Sequence, residues 1–175
     1  MVTLRATQKV LRLLPATTSS GAVPGSALGD WYVNRVVIDR QPLLLLLSST
    51  SLLAILEPAR DLKKLPSRLP DLVESRLKRL PVPSHVISCE VAATRDVAVG
   101  KTTDRSVVGQ MVEFAKALTF YLPETGWGTA DLREAEERFA ETPCRCTRAE
   151  KDVIWPERAA IRLLEQTWPS NSLQH

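Results

Sequence analysis

The sequence predicts an α+β fold, with a small, mainly antiparallel sheet and helices packed against it. Between residues 29 and 56, three short apolar runs are separated by turn-forming residues, which is typical of a strand meander. Beyond residue 60, apolar residues recur at helical spacing. A length of 175 residues suits one domain, so we expect residues 1–175 to form a single unit.

The amino-terminal half carries the predicted sheet. Residues 2–5 form a first strand, and a short helix with Val10, Leu11 and Leu14 on one face follows. Residues 15–28 are rich in Ser, Thr, Gly, Ala and Pro, which predicts an irregular surface loop. Residues 31–38, 43–47 and 52–56 then form the meander, and five consecutive leucines indicate a strand covered on both faces.

The apolar stretch from residue 43 to residue 56 has a second interpretation, a membrane span. It is shorter than the roughly 20 residues that a spanning helix needs, and four Ser and Thr residues interrupt it. We therefore favour two strands and no membrane association. Three cysteines with a tight Cys-x-Cys pair do not make a secreted disulfide framework, and residues 1–14 lack the unbroken apolar core of a signal peptide, so we expect a cytoplasmic location.

The carboxyl-terminal part is mostly helical. We expect helices from Pro66 to before Pro81 and from Ser84 onward, then a strand over residues 96–100. A long helix capped by Thr103 should bury an apolar face and end at Pro123. Two further helices follow, the last one beginning at Pro156, and residues 170–175 should fray. The buried face of the long helix consists of Val107, Val108, Met111, Ala115, Leu118 and Leu122.

Residues for catalysis or metal binding are scarce. The chain has two histidines, and His175 is the last residue. His85 and Cys89 lie four residues apart on a predicted helix, which fits a nucleophile with its base, half of a metal site, or a half-buried helix with a polar histidine and an inert cysteine. Cys144 and Cys146 are too closely spaced for a zinc site. We assign no catalytic residue, no metal and no cofactor.

The turn at residues 101–106 is the strongest candidate for ligand binding. With the preceding Gly100 it forms Gly-Lys-Thr, but no glycine lies five residues before Gly100, so the phosphate-loop pattern fails. Cationic side chains at a helix start can still bind an anion. The alternative is a structural role for these residues: Thr103 caps the helix, Asp104 offsets the helix dipole, and Arg105 pairs with a carboxylate. The candidate residues are Lys101, Thr103, Asp104, Arg105 and Ser106.

Two other segments are weaker candidates for binding. Asp30, Trp31 and Tyr32 place a carboxylate beside two aromatics at a strand start, and the aromatics must point to opposite faces. Core packing is the default, and a surface or pocket is the alternative. Residues 60–80 carry seven basic and three acidic side chains, which could contact nucleic acid, although no aromatic is interleaved and a solvated face is favoured.

Three segments carry a resemblance to a known family. The first is Leu-Gly-Asp-Trp-Tyr-Val-Asn at 28–34, with Ile-Asp-Arg at 38–40 and the leucine strand after it; the second is Lys-Thr-Thr-Asp-Arg-Ser-Val-Val-Gly-Gln-Met at 101–111; the third is Glu-Thr-Pro at 141–143 with the Trp-Pro that opens the last helix. Together they resemble a bacterial family, the domain of unknown function numbered 6933. The second is similar to the family's Lys-Thr-Asn-Asp-Arg-Ser-Val-Leu-Gly-Ser-Met. Gln110 and the Val112-Glu113 pair depart from that pattern. The resemblance implies a single bacterial domain and marks Lys101, Asp104, Arg105 and Ser106 as shared polar residues, without implying an activity.

Three functions stay open at this point. The first is a non-enzymatic intracellular protein that binds or regulates a partner, for which a protein partner is one option. The second is a nucleic-acid-binding protein that uses the basic helix face. The third is an enzyme or binder that acts on a small anionic ligand at the 101–106 turn, with Lys101 and Arg105 as the clamp and Asp104 as an orienting group or base. A net charge of +3 selects none of them.

Overall fold

The computed structural model describes residues 1–15, 25–145 and 152–170, and five strands and six α-helices lie within these ranges. A 3₁₀ turn at Leu62–Lys64 precedes the second helix. In chain order the elements are β1 (Val2–Ala6), α1 (Gln8–Leu11), β2 (Trp31–Ile38), β3 (Gln41–Ser48), β4 (Ala54–Pro58), α2 (Leu65–Leu77), α3 (Ser84–Ala93), β5 (Val97–Lys101), α4 (Arg105–Tyr121), α5 (Thr129–Ala140) and α6 (Pro156–Thr167).

The sheet is mixed, which corrects the prediction of a mainly antiparallel one. Its strand order is β4-β3-β2-β1-β5. Strands β2, β3 and β4 form the predicted antiparallel meander, whereas β1 is parallel to both β2 and β5. Parallel neighbours need a crossover connection, and such pairings leave no short turn in the sequence to reveal them. The broad α+β class stands.

Each face of the sheet contacts a separate hydrophobic core. The first core contains β1, α1, α2 and Trp31, and the second contains Tyr32, α4 and α5. The leucine strand serves both cores, since Leu44 and Leu46 enter the first while its other three leucines enter the second. All five are fully buried, which confirms the expectation of a strand covered on both faces.

The segment from residue 43 to residue 56 forms most of β3 and the start of β4, joined by a turn, rather than one helix. None of the helices in the described ranges combines the length and the apolar character that a membrane span requires.

Two predicted irregular segments are only partly described. Residues 16–24 of the loop at 15–28 and all of the predicted frayed end except Ser170 lie outside the described residues. Ala27 and Leu28 are buried, so the end of that loop does not lie on the surface as predicted. The single domain over residues 1–175 stays a prediction.

Candidate functional site

The candidate site lies where the parallel strands β1 and β5 end side by side. Ala6 and Lys101 are partners in register at this edge. The chain leaves β1 toward the first core, where Val10 of α1 packs, and leaves β5 toward the second, where Val107 of α4 packs. Adjacent parallel strands whose connections diverge to opposite faces form a topological switch point, the place where open sheets bind ligands.

The start of helix α4 is capped by Asp104, which corrects the assignment of this cap to Thr103. The Asp104 carboxylate accepts hydrogen bonds from the Ser106 backbone N–H at 2.8 Å and the Ser106 hydroxyl at 2.6 Å. A carboxylate there satisfies an amide that has no partner within the helix, and it is favoured by the helix dipole.

Thr103 contacts Tyr32 instead. Its hydroxyl oxygen lies 3.2 Å from the Tyr32 hydroxyl oxygen, which also accepts a 3.0 Å hydrogen bond from the Asp104 backbone N–H. Because Tyr32 belongs to β2, this contact fixes the 101–106 turn against the sheet.

An ion pair below the turn connects three strands. Asp30, just before β2, accepts hydrogen bonds from the Thr3 backbone N–H at 2.8 Å and from Arg5 Nε at 2.7 Å. Arg5 Nη1 also approaches the Lys101 carbonyl oxygen at 3.3 Å. A mostly buried guanidinium therefore sits at the switch point with its charge offset by Asp30.

Lys101 and Arg105 carry the exposed positive charges of the turn. Neither side chain makes an ion pair within the part of the chain that the structure describes. The predicted pairing of Arg105 with a carboxylate is therefore not observed. With Asp104 committed to its cap, the turn offers two cationic side chains to solvent and a fixed backbone between them.

The structure buries Asp30, Trp31 and Tyr32, so they do not form an exposed binding surface. Trp31 packs in the first core and Tyr32 in the second, which confirms that the aromatics point to opposite faces. Only the Tyr32 hydroxyl reaches the turn. The two aromatic rings of this segment therefore pack in the cores, and the Tyr32 hydroxyl lies at the candidate site.

The other candidate side chains remain apart from this edge. His85 and Cys89 are both exposed, and the imidazole Nε2 lies 3.3 Å from the Ser170 hydroxyl. Cys144 is buried and its thiol approaches the Thr142 carbonyl, while Cys146 lies outside the described residues. Across the described ranges, no three His, Cys, Asp or Glu residues are grouped so that they could hold a metal ion.

The basic stretch at residues 60–80 is largely neutralised by ion pairs. Lys64, Arg68, Lys78 and Arg79 each contact a carboxylate. Arg76 is one of the seven basic residues of this stretch, for which the sequence favours a solvated face, and the structure buries it instead. Loss of hydration lowers the pKa of the Arg76 guanidinium, although the carboxylates of Glu136 and Glu137 oppose the shift.

Buried and half-buried charged side chains cover the outer edge of β4, the edge that pairs with no other strand in the described sheet. Glu136, which is fully buried, accepts a hydrogen bond from the Leu56 backbone N–H at 2.7 Å and pairs with Arg79 and Arg133. Arg76 Nε donates to the Ala54 carbonyl at 3.1 Å, and Arg133 donates to the Leu56 carbonyl at 3.2 Å. Side chains thus form hydrogen bonds with backbone groups of β4 that could otherwise pair with a strand of another chain.

Glu90 is a second buried carboxylate that the sequence analysis did not identify. It accepts hydrogen bonds from the Ser26 hydroxyl, from the backbone N–H groups of Ala27 and Leu28, and from the Trp168 indole N–H. It joins α3 to the segment before β2 and to the end of α6. A glutamate within the apolar stretch of α3 could have indicated a buried carboxylate. Its hydrogen-bond partners could not be predicted, because they are distant in sequence.

Comparison with known proteins gives a family and no curated relative. No curated protein matches the chain. The sequence profile of the domain of unknown function DUF6933 matches residues 3–159. That range covers most of the chain and includes β1, the Gly-Asp-Trp-Tyr segment and the 101–106 turn. The chain therefore belongs to the DUF6933 family.

Proposed function

We propose that the protein is a non-enzymatic binding protein that takes a small phosphorylated or carboxylated ligand at the 101–106 turn. The observation that carries the proposal is the placement of Lys101 and Arg105, two exposed cations without ion pairs in the described chain, at the switch point between β1 and β5. Ligand binding outside the carboxyl ends of parallel strands is the common use of this geometry.

The ligand would be held by side-chain charges rather than by the helix amides. Asp104 already accepts from the Ser106 N–H and places a negative charge at the helix start. An anion must therefore approach from the side of the two cations. Arginine binds carboxylate and phosphate with two parallel hydrogen bonds, and lysine adds a point charge.

Binding is favoured over catalysis because the carboxylate in the turn is committed. One oxygen of Asp104 accepts from both donors of Ser106, so this group serves as a cap rather than as a placed general base. An intracellular, regulatory role for the binding protein follows as part of the same proposal.

A thermal-shift screen with phosphorylated and carboxylated metabolites tests the proposal. A ligand at 100 times its dissociation constant stabilises the fold by about 2.7 kcal/mol. The double variant Lys101→Ala/Arg105→Ala should remain folded and lose that shift. Arg60→Ala/Lys63→Ala removes the same charge from exposed cations that make no ion pair in the described residues, and it should keep the shift.

Absence of a shift with every metabolite would refute ligand binding of this class. A shift that persists unchanged in the Lys101→Ala/Arg105→Ala variant would place the ligand at another site.

Nucleic-acid binding through residues 60–80 is a weaker proposal. Of its seven basic side chains, only Arg60 and Lys63 lack an ion pair within the described ranges. Fluorescence anisotropy with labelled duplex and single-stranded DNA at low and moderate salt tests it, because phosphate contacts make affinity fall steeply with salt. Failure to bind at low salt would exclude it.

A further inference from the structure

The outward face of helix α4 exposes apolar side chains that the proposed ligand site does not use. Phe120 is 84% exposed and Val112 is 45% exposed. Together with Gly109 and Lys116, they lie at spacings of three and four residues, on the side opposite the buried Met111 and Leu118. We define Gly109, Val112, Glu113, Lys116 and Phe120 as the α4 stripe.

Gly109 has no local reason to be a glycine. Its backbone is helical, and nothing lies within 4 Å of the position that a β-carbon would occupy. Glycine inside a helix costs roughly 0.5–1 kcal/mol relative to alanine. What glycine provides is a shallow place on the helix surface where another chain can come close.

We infer that the α4 stripe is a self-association surface, which binds the α4 stripe of a second copy in antiparallel orientation. An antiparallel pair centred between residues 114 and 115 places Phe120 level with Gly109 of the partner subunit. The protruding ring then meets the shallow position, and two-fold symmetry repeats this contact at the other end.

Charge complementarity supports the same register. Glu113 and Lys116 lie on either side of the midpoint between Gly109 and Phe120, and they form a 3.2 Å ion pair within one chain. The antiparallel crossing that aligns Phe120 with Gly109 of the partner subunit also aligns Glu113 with Lys116 of the partner subunit. Four charges then alternate in sign around the two-fold axis, so the surface is complementary to itself.

Sedimentation velocity over a concentration series of the full chain measures the association directly. The wild-type chain should reach a mass twice that of one chain as concentration rises. Phe120→Glu should raise the dimer dissociation constant by about thirtyfold or more, because an interface anchor contributes at least about a thirtyfold change. Val37→Glu is the matched control, since Val37 is 53% exposed on β2 and should leave the dimer intact.

A charge exchange tests the register. Glu113→Lys and Lys116→Glu should each weaken the dimer, and the double exchange should restore it. Circular dichroism confirms that each variant is folded. A wild-type chain that stays monomeric at millimolar concentration overturns the inference, as does a dimer that withstands Phe120→Glu or is lost equally with Val37→Glu.

Discussion

At the scale of single residues, Gly29 and Gly109 should respond in opposite ways to substitution by alanine. Gly29 has a φ of +68°, and an added β-carbon would lie 2.9 Å from the Thr50 methyl group. Gly29→Ala should therefore lose about 1–3 kcal/mol of unfolding free energy. Gly109→Ala, where nothing is near, should gain about 0.5–1 kcal/mol. Urea denaturation measures both, and a stabilising Gly29→Ala would contradict the left-handed conformation.

The cap of α4 gives a second residue-level comparison. Asp104→Ala should cost about 0.5–2 kcal/mol, because the Ser106 amide loses its acceptor. Thr103→Ala should cost less, since it removes only the contact between the Thr103 hydroxyl and Tyr32. Urea unfolding of the two variants side by side measures the difference. A larger loss for Thr103→Ala would restore the sequence-based assignment of the cap.

For single residues, the sequence predicts the direction of a side chain correctly where strand alternation determines it. It fails where two adjacent residues are equally suited to the same role. Alternation along β2 correctly separates Trp31 from Tyr32. Thr103 and Asp104 are both good caps, and only the backbone path determines which one precedes the first helical residue. Arg76 looked solvent-facing because charged residues surround it in α2, but α5 supplies carboxylates that no pattern within α2 reveals.

At the scale of elements, the edge of β4 depends on a charge cluster in the interior. Glu136 contacts the Leu56 N–H and lies among the guanidinium groups of Arg76, Arg79 and Arg133. Removing one partner from a buried ion pair leaves an uncompensated charge. The cluster is therefore expected to matter more for the attachment of α2 and α5 to β4 than surface ion pairs do.

We expect Glu136→Gln to destabilise the protein by about 3–5 kcal/mol, because the buried guanidinium of Arg76 would keep only the half-exposed Glu137 carboxylate as a partner. Glu137→Gln should cost less than about 1 kcal/mol, since Glu137 is half exposed and solvent screens its pairs with Arg76 and Arg79. Urea unfolding measures both. Adding Arg76→Met to Glu136→Gln should cost less than the sum of the single changes. An additive double variant would show that the two groups are not coupled.

The elements that sequence reasoning missed are those held by distant partners. Helices α3 and α4 and the meander follow from local periodicity and turn residues, and the structure confirms them. The parallel placement of β1 between β2 and β5 depends on a crossover through α1 and on a β5 more than 90 residues away. The same topology creates the switch point, so the sequence could single out the 101–106 turn without predicting its position beside Arg5.

At the scale of the whole molecule, Glu90 connects parts that are far apart in the chain. Its carboxylate accepts from the Ala27 and Leu28 amides before β2 and from the Trp168 indole after α6. A buried donor that loses its acceptor costs about 1–3 kcal/mol. The carboxylate therefore couples the sheet to the end of the last helix, which is what a single cooperative domain requires.

Glu90→Ala should lower the free energy of unfolding by at least about 2 kcal/mol, because two backbone amides and one indole lose their acceptor together. Trp168→Phe removes only the indole donor and keeps an aromatic ring, so it should cost about 1 kcal/mol. If residues 1–175 form one domain, tryptophan fluorescence and far-ultraviolet circular dichroism should give coincident urea transitions in the wild type and in both variants. Two separated transitions in Glu90→Ala would show that this carboxylate joins two units that can unfold independently, and the single-domain prediction would then fail.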